Sequence, residues 1–400
     1  MASEFQDDTV MATPSQSTVA PYRGAARKAH AGAPPRNSAS LYNDPLATAS
    51  WSTVLPDQRA RNGNNGVVAG ETKPQNSSMG PMSSSAADRP TITSARRLLS
   101  LEREVGLIRC IRTLEGHGDT VTSVAFSHDS ALVASASWDK TVRLWQANTG
   151  LCIRTLEGHA KWVSSVAFSH DSATVASASW DKTVRLWQAD IGQCIRTLEG
   201  HANTVTSVAF SHDSALVASA SYDTTVRLWH ADTGLCIRTL EGHVNWVSSV
   251  AFSHDSALVA SASWDMTVRL WQADKGLCIR SVEVHGNTVN SVAFSHNSAL
   301  VASASSDRTV RLWQADTGLC IRTLRNYGTA INSVAFSHNS ALVASASSGT
   351  VLLWHADTGL CIRTLEDRGG MVRSVTFSPD STLVASASNS TVYLWGADTD

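Results

Sequence analysis

The sequence predicts an all-β chain, a seven-bladed β-propeller behind a disordered N-terminal tail. Three observations carry this. One unit recurs seven times, its closing tryptophans falling at Trp145, Trp187, Trp229, Trp271, Trp313, Trp354 and Trp395, at intervals of 42 residues and then 41. A fixed period in that range signals a repeat architecture. Each unit holds four short β-branched or alternating runs, such as Val163–Phe168, Thr174–Ser179, Thr183–Trp187 and Cys194–Leu198, broken by turn residues. Such runs read as a four-stranded antiparallel meander. One such sheet cannot bury both faces alone, so seven must stack radially.

Taken in order, residues 1–93 are rich in Ser, Ala, Pro, Asn and Gly without periodicity, with Pro34-Pro35, Asn62-Gly-Asn-Asn-Gly66 and Ser83-Ser-Ser85 as samples. Such composition cannot bury enough apolar surface to offset ordering entropy, so the tail is expected to be disordered. Residues 94–105, including Arg96-Arg-Leu-Leu-Ser-Leu-Glu-Arg-Glu104, suit a short helix or linker too short for a coiled coil. The propeller is expected over 106–400. Ile108–Leu114 precedes the first full unit as an orphan outer strand, and the last unit stops three strands in. The two ends are expected to join, 108–114 against 391–395, hiding two sheet edges. The Ala- and Ser-rich second run of each unit suits strands squeezed near the centre of the wedge.

The balance of charge is −2, which leaves no electrostatic footprint for nucleic acid. The acidic start Met1-Ala-Ser-Glu-Phe-Gln-Asp-Asp8 is no signal peptide, and no apolar run reaches the roughly 18 residues of a membrane span. Seven cysteines, Cys110, Cys152, Cys194, Cys236, Cys278, Cys320 and Cys361, occupy one position of the repeat on outer strands of different blades. Disulfides need Cα atoms within about 7 Å, and no Cys-x-x-Cys offers a zinc site. They are read as reduced packing residues of an intracellular protein.

With Gly-His before the first strand, Asp in the turn after the second and Trp closing the third, the unit resembles a WD40 repeat over Leu107–Asp400. It departs in the dipeptide that names the family, which is Trp145-Gln146, Trp229-His230 or Trp395-Gly396 here. The fold expectation survives, since the Trp fills the core. The near-identity of the copies is also similar to the propellers of fungal vegetative-incompatibility receptors of the NTPase and WD-repeat type. No Gly-x-x-x-x-Gly-Lys-Ser/Thr occurs, so their NTPase module is expected to be absent from this chain.

The resemblance implies a buried network in each blade: His117, Asp139 and Trp145 with Ser135 or Ser137 in the first, then His159, Asp181 and Trp187, His201, Asp223 and Trp229, His243, Asp265 and Trp271, and His285, Asp307 and Trp313. The sequence supports it independently. Repeats six and seven lose the histidine (Asn326-Tyr327, Asp367-Arg368) and the turn aspartate (Ser348-Gly-Thr350, Asn389-Ser-Thr391) together. That is expected of buried partners, because a stranded one costs about 1–3 kcal/mol. A structural network is therefore preferred to a metal site. A second set, His128, His170, His212, His254, His296 and His338, with Pro379 in the last copy, is read as solvated turn residues in preference to a ring of imidazoles on one face that binds metal or senses pH. Every Ser-His-Asp combination repeats with the fold, whereas an active site is singular, so no catalysis and no cofactor are expected.

The copies differ mainly at two places that a meander puts at the same end. The loop entering the first strand varies, as in Ala160-Lys-Trp162 against Ala202-Asn-Thr204, and so does the turn after the second strand. The turn after the first strand is nearly constant. In the family that variable end is the top face, where partners dock. The residues expected to bind a protein or peptide are Trp138, Lys140, Lys161, Trp162, Trp180, Lys182, Asn203, Tyr222, Asn245, Trp246, Trp264 and Arg308. With Ser306, Ser348 and Asn389 at the turn position of repeats five to seven, the partner is expected over blades one to four. The function expected is a non-catalytic recognition scaffold, a monomeric propeller within a complex, in the cytoplasm or nucleus, without nucleic acid, metal or membrane insertion. The alternatives are an adaptor subunit, of the mitochondrial-fission or ubiquitin-ligase kind, and the sensor part of an NTPase-linked receptor.

Overall fold

A computed structural model of the chain describes residues 108–283, 285–326 and 328–397. The expected tail of 1–93 and the helix of 94–105 lie outside the described residues. Among those residues every regular element is a β-strand. Blade one is the antiparallel sheet Val121–Phe126, Leu132–Ser137, Val142–Gln146 and Cys152–Leu156, in that order from the axis outward, and blades two to five repeat it.

The inner strands of successive blades pack against one another around the axis. The innermost strand is therefore the first run of each unit. The Ala- and Ser-rich second run, expected near the centre, stands next to it. Its small residues serve the interface between blades: Ala134 and Ala136, with Val142 and Leu144, form one core with Val163, Val166, Val175 and Trp187 of the next blade. An alanine leaves room for the neighbour's indole, the largest fully buried side chain in the core. The same pattern recurs at every interface, so the core is divided into seven clusters between blades.

Blades six and seven depart from the plan. They form one six-stranded sheet through two long strands, Leu342–His355 and Cys361–Phe377. In blades one to five the turn aspartate accepts from the N–H and hydroxyl of the threonine two residues on, as Asp139 does from Thr141, which closes a tight turn. Blade six lacks that aspartate and is one residue shorter. Strand continues on both sides of Gly349, whose φ of +73° and the register shift at Ser348/Thr350 mark the turn, with Ser348 opposite Met371.

The ring closes through Ile108–Glu115, which pairs antiparallel with Thr391–Ala397, Glu115 opposite Thr391 and Cys110 opposite Trp395. Leu114, 1% exposed, enters the last core beside Ala385, Ala387, Val392 and Leu394, facing Val121 and Trp145 of blade one. The closing strand thus supplies both hydrogen bonds and buried apolar surface. The cysteines are a correction. All seven are free, and the six exposed ones do not serve as packing residues, whereas the half-buried Cys194 packs against the core between blades one and two. A register shift in the outer strand, with Trp145 opposite Cys152 and Leu144 opposite Arg154, breaks the alternation, leaving the Cys152 position exposed and Leu156 buried.

Candidate interaction surface

In blades one to five the histidine before the first strand bridges two loops. His117 Nδ1 lies 2.7 Å from Asp139, and its Nε2 lies 2.7 Å from the Ser135 hydroxyl, which also accepts the indole N–H of Trp145 at 2.8 Å. The corresponding His–Asp pairs are His159–Asp181, His201–Asp223, His243–Asp265 and His285–Asp307, at 2.7–2.9 Å. Trp187, Trp229, Trp271 and Trp313 donate to the matching serines. Of the two serines left open by alternation, Ser135 joins the histidine. Ser137 instead donates to the Asp119 carbonyl and accepts the Asp139 N–H.

Burial alone would raise the Asp139 carboxyl, yet the hydrogen bonds from His117 and from Thr141 hold it well below the usual carboxylate range. Its four equivalents behave alike. A carboxylate acceptor fixes the tautomer, so Nδ1 donates to Asp139 and Nε2 accepts from Ser135. In blades one to four a glycine precedes this histidine, whereas blade five carries Val284 there. Gly158 has φ +147°, and a Cβ there would stand 2.8 Å from an Arg185 guanidinium nitrogen. In blade six Asn326, one residue before the histidine's place, donates to Ser347, the counterpart of Ser137, at 3.0 Å, while Trp354 donates to Ser345. In blade seven the buried Ser388 hydroxyl has no partner among the described residues.

These networks anchor the loops that carry the variable residues. In each of blades one to four the turn residue donates its N–H to the loop residue preceding the inner strand, as Trp180 does to Trp162 and Trp264 to Trp246. The side chains then meet ring to ring. Trp138 stacks on Trp162 with centroids 4.8 Å apart and planes 21° apart, and Trp162 leans on Trp180, also at 4.8 Å. Trp180 meets Tyr222 edge-on at 6.3 Å, Tyr222 stacks on Trp246 at 4.3 Å, and Trp246 leans on Trp264 at 4.8 Å. All six are half-buried. The outcome is one continuous aromatic arc across blades one to four.

Around it, Lys140, Lys161 and Lys182 are exposed on blades one and two. Asn203 and Asn245, also exposed, cap their own loops by accepting the N–H of Thr204 and of Trp246. Arg308 is exposed on blade five, outside the arc. Lys140, Lys182, Thr224, Met266 and Arg308 all adopt φ of 70–73°, a left-handed conformation that favours glycine. The binding residues expected from the sequence omit three contributors. Arg373 of blade seven places its guanidinium carbon 4.6 Å from the Trp138 ring centroid, closing the end of the arc by a cation–π contact. Val244 and Met266 are 84% and 45% exposed on blade four. A signal existed for Arg373: the other six copies carry Thr, Ser or Asn at its position.

The second histidine set requires another correction. These residues are half-buried and packed ring on ring, not independent solvated turns. Consecutive imidazoles from His128 to His338 stand with centroids 3.5 Å apart. They line a cavity of about 280 Å³ at the axis. The constancy of these turns also has a structural reason. Ser172 accepts the main-chain N–H groups of His128 and Asp129 in the preceding blade, and its equivalents repeat the link around the ring.

The comparisons agree with this geometry. The family model described as "WD domain, G-beta repeat" matches residues 108–146, 150–188, 192–230, 234–272, 276–314, 318–355 and 359–396. The vegetative incompatibility protein HET-E-1 of Podospora anserina is 56% identical over 41 residues, 10% of this chain and 3% of that protein. The small ribosomal subunit protein RACK1 of Neurospora crassa is 51% identical over 39 residues, 10% of this chain and 12% of its own length. Protein Notchless of Drosophila melanogaster is 51% identical over 41 residues, 10% of this chain and 8% of that protein. Each likeness spans about one repeat, so the chain covers only a small part of the relatives it matches.

Proposed function

The chain belongs to the WD40-repeat family, and from that premise we propose that it is a non-catalytic recognition scaffold whose aromatic arc binds a protein or peptide partner over blades one to four. The observation that carries this reading is the arc itself. Six half-buried aromatic rings from four blades touch in series on one rim. Trp and Tyr are the residue types enriched at interface hot spots. The left-handed φ of Lys140, Lys182 and Met266 adds to it. A non-glycine residue there costs backbone strain, and strain retained at a variable surface position points to a use for its side chain.

The bottom turns lend less support than their constancy first suggests, because inter-blade hydrogen bonds already constrain them. The leading version is a propeller of the fungal incompatibility-receptor kind, supported by the likeness to HET-E-1 over one repeat. An adaptor subunit within a larger complex is the second reading, favoured by the likeness to RACK1 and Notchless. In either, the propeller acts as a monomer in the cytoplasm and supplies binding rather than chemistry. Affinity capture from source cells with the full chain and with a Trp162→Ala/Trp246→Ala double variant tests the proposal. A partner identified by mass spectrometry is expected with the first and lost with the second. Equal capture by both would refute it.

A further inference from the structure

Opposite the aromatic face, the six turn histidines make a second, unassigned site. Consecutive imidazoles from His128 to His338 are spaced 3.5 Å apart and tilted 42–52° to one another. Sevenfold rotation steps by about 51°, so the planes fan around the axis like the blades themselves. The seventh place holds Pro379, and across it His338 and His128 are 6.0 Å apart. That matches the 6.0–6.3 Å between next-nearest members elsewhere. Seven places spaced this way close on a circle of about 4 Å radius, so the imidazole centroids surround the axis at about 4 Å. Beneath lies a collar of the phenylalanines that end the inner strands, Phe126 through Phe377.

The geometry points to an axial site for a single small inorganic anion of chloride size, held by the polarised edges of the imidazoles and taken up together with protons. Two facts favour an anion over a metal. Among the described residues no three His, Cys, Asp or Glu side chains converge as a metal-ligand set. Stacked imidazoles also repel one another when charged, and an anion on the axis is placed to offset that repulsion for several at once. Burial and then the neighbouring imidazoles hold His212 and His296 down to about 4, and lower His128, His170 and His254 for the same reasons.

The other charged groups around the ring are Asp129, Asp171, Asp213, Asp255 and Asp380. Each accepts a serine hydroxyl and a main-chain N–H of its own turn. They favour protonation of the imidazoles and do not themselves bind an anion. No lysine or arginine occurs in these seven turns. The site is therefore empty of fixed positive charge until it takes up protons, and anion binding must be linked to acid.

The test is an NMR titration of the imidazole C–H signals of the full chain, in sodium chloride and in sodium gluconate of equal ionic strength. Gluconate is too large for the ring. By linkage, an anion that binds the protonated ring raises its titration midpoint in chloride by about half a pH unit. His230 and His355, outside the ring, should titrate alike in both salts. Equal ring midpoints in the two salts would overturn the site and leave only general screening. A His212→Asn variant, checked for an unchanged melt at pH 7.5, should lose the chloride dependence. If the variant keeps it, chloride binds elsewhere and the assignment fails.

Discussion

Asp380 donates its main-chain N–H to the hydroxyl of Ser130, 3.3 Å away and 250 residues earlier, joining the last blade to the first. The same Ser-to-turn link recurs between blades along the ring, as between Ser172 and Asp129. Closure is thus the same interface as any other, completed by a strand from the opposite end of the chain.

Removing that strand should be far more harmful than removing what precedes it. Deletion of residues 1–93 is expected to leave the thermal transition essentially unchanged, whereas deletion through Glu115 should yield an aggregating protein. It would expose the edge of Thr391–Ala397 and withdraw Leu114 from its core. Similar melts for both truncations would sink the closure argument.

The His–Asp pairs should be energetically coupled. His201→Ala and Asp223→Ala are each expected to cost about 1–3 kcal/mol, since each strands a buried partner. The double variant should cost clearly less than the sum, because the two side chains meet at 2.8 Å. Strict additivity in denaturant melts would show that the contact carries no energy.

Acid should weaken the fold in two stages. His128, His170, His212, His254 and His296 have lowered affinity for protons when folded, against an ordinary value of 6.5, with His212 and His296 near 4. The unfolded chain then binds more protons, so stability is complete above about pH 6.5 and falls as pH drops toward 4. The network aspartates are lowered from 3.8, so their contribution is present above that pH and lost below it. Thermal midpoints at pH 7.5, 5.5, 4.5 and 3 follow both stages. A flat profile from 7.5 to 4.5 would contradict the first.

The left-handed turn residues should trade stability for binding. Lys140→Gly and Lys182→Gly relieve a φ of 72–73° and are expected to raise stability by up to about 1 kcal/mol each. If the lysines serve the partner, the same changes should weaken its binding. Unchanged binding would remove them from the interaction surface.

Trp162→Ala and Trp246→Ala should each weaken partner binding by about 2 kcal/mol or more, the scale of a hot spot, with folding nearly intact. His170→Ala and His254→Ala, on the opposite face, should leave binding unchanged at pH 7.5. The reverse pattern would put the recognition surface on the wrong end of the propeller.

The sequence by itself determined the repeat, its four strands and the number of blades. Period and turn chemistry are local properties, written once and copied seven times. It also pointed to the His–Asp partnership, because repeats six and seven lose the histidine (Asn326-Tyr327, Asp367-Arg368) and the turn aspartate (Ser348-Gly-Thr350, Asn389-Ser-Thr391) together. What only the tertiary structure decided depends on how blades lie beside one another. Radial stacking placed the first strand innermost and gave the alanines of the second strand to the neighbour's tryptophan. It set Arg373 from blade seven on Trp138 of blade one. It also drew six turn histidines, each unremarkable within its own repeat, into a ring around one axis. A residue's distance from that axis is not encoded in any single repeat. It follows from the closing of all seven, which turns a 42-residue separation in sequence into a 3.5 Å contact in space.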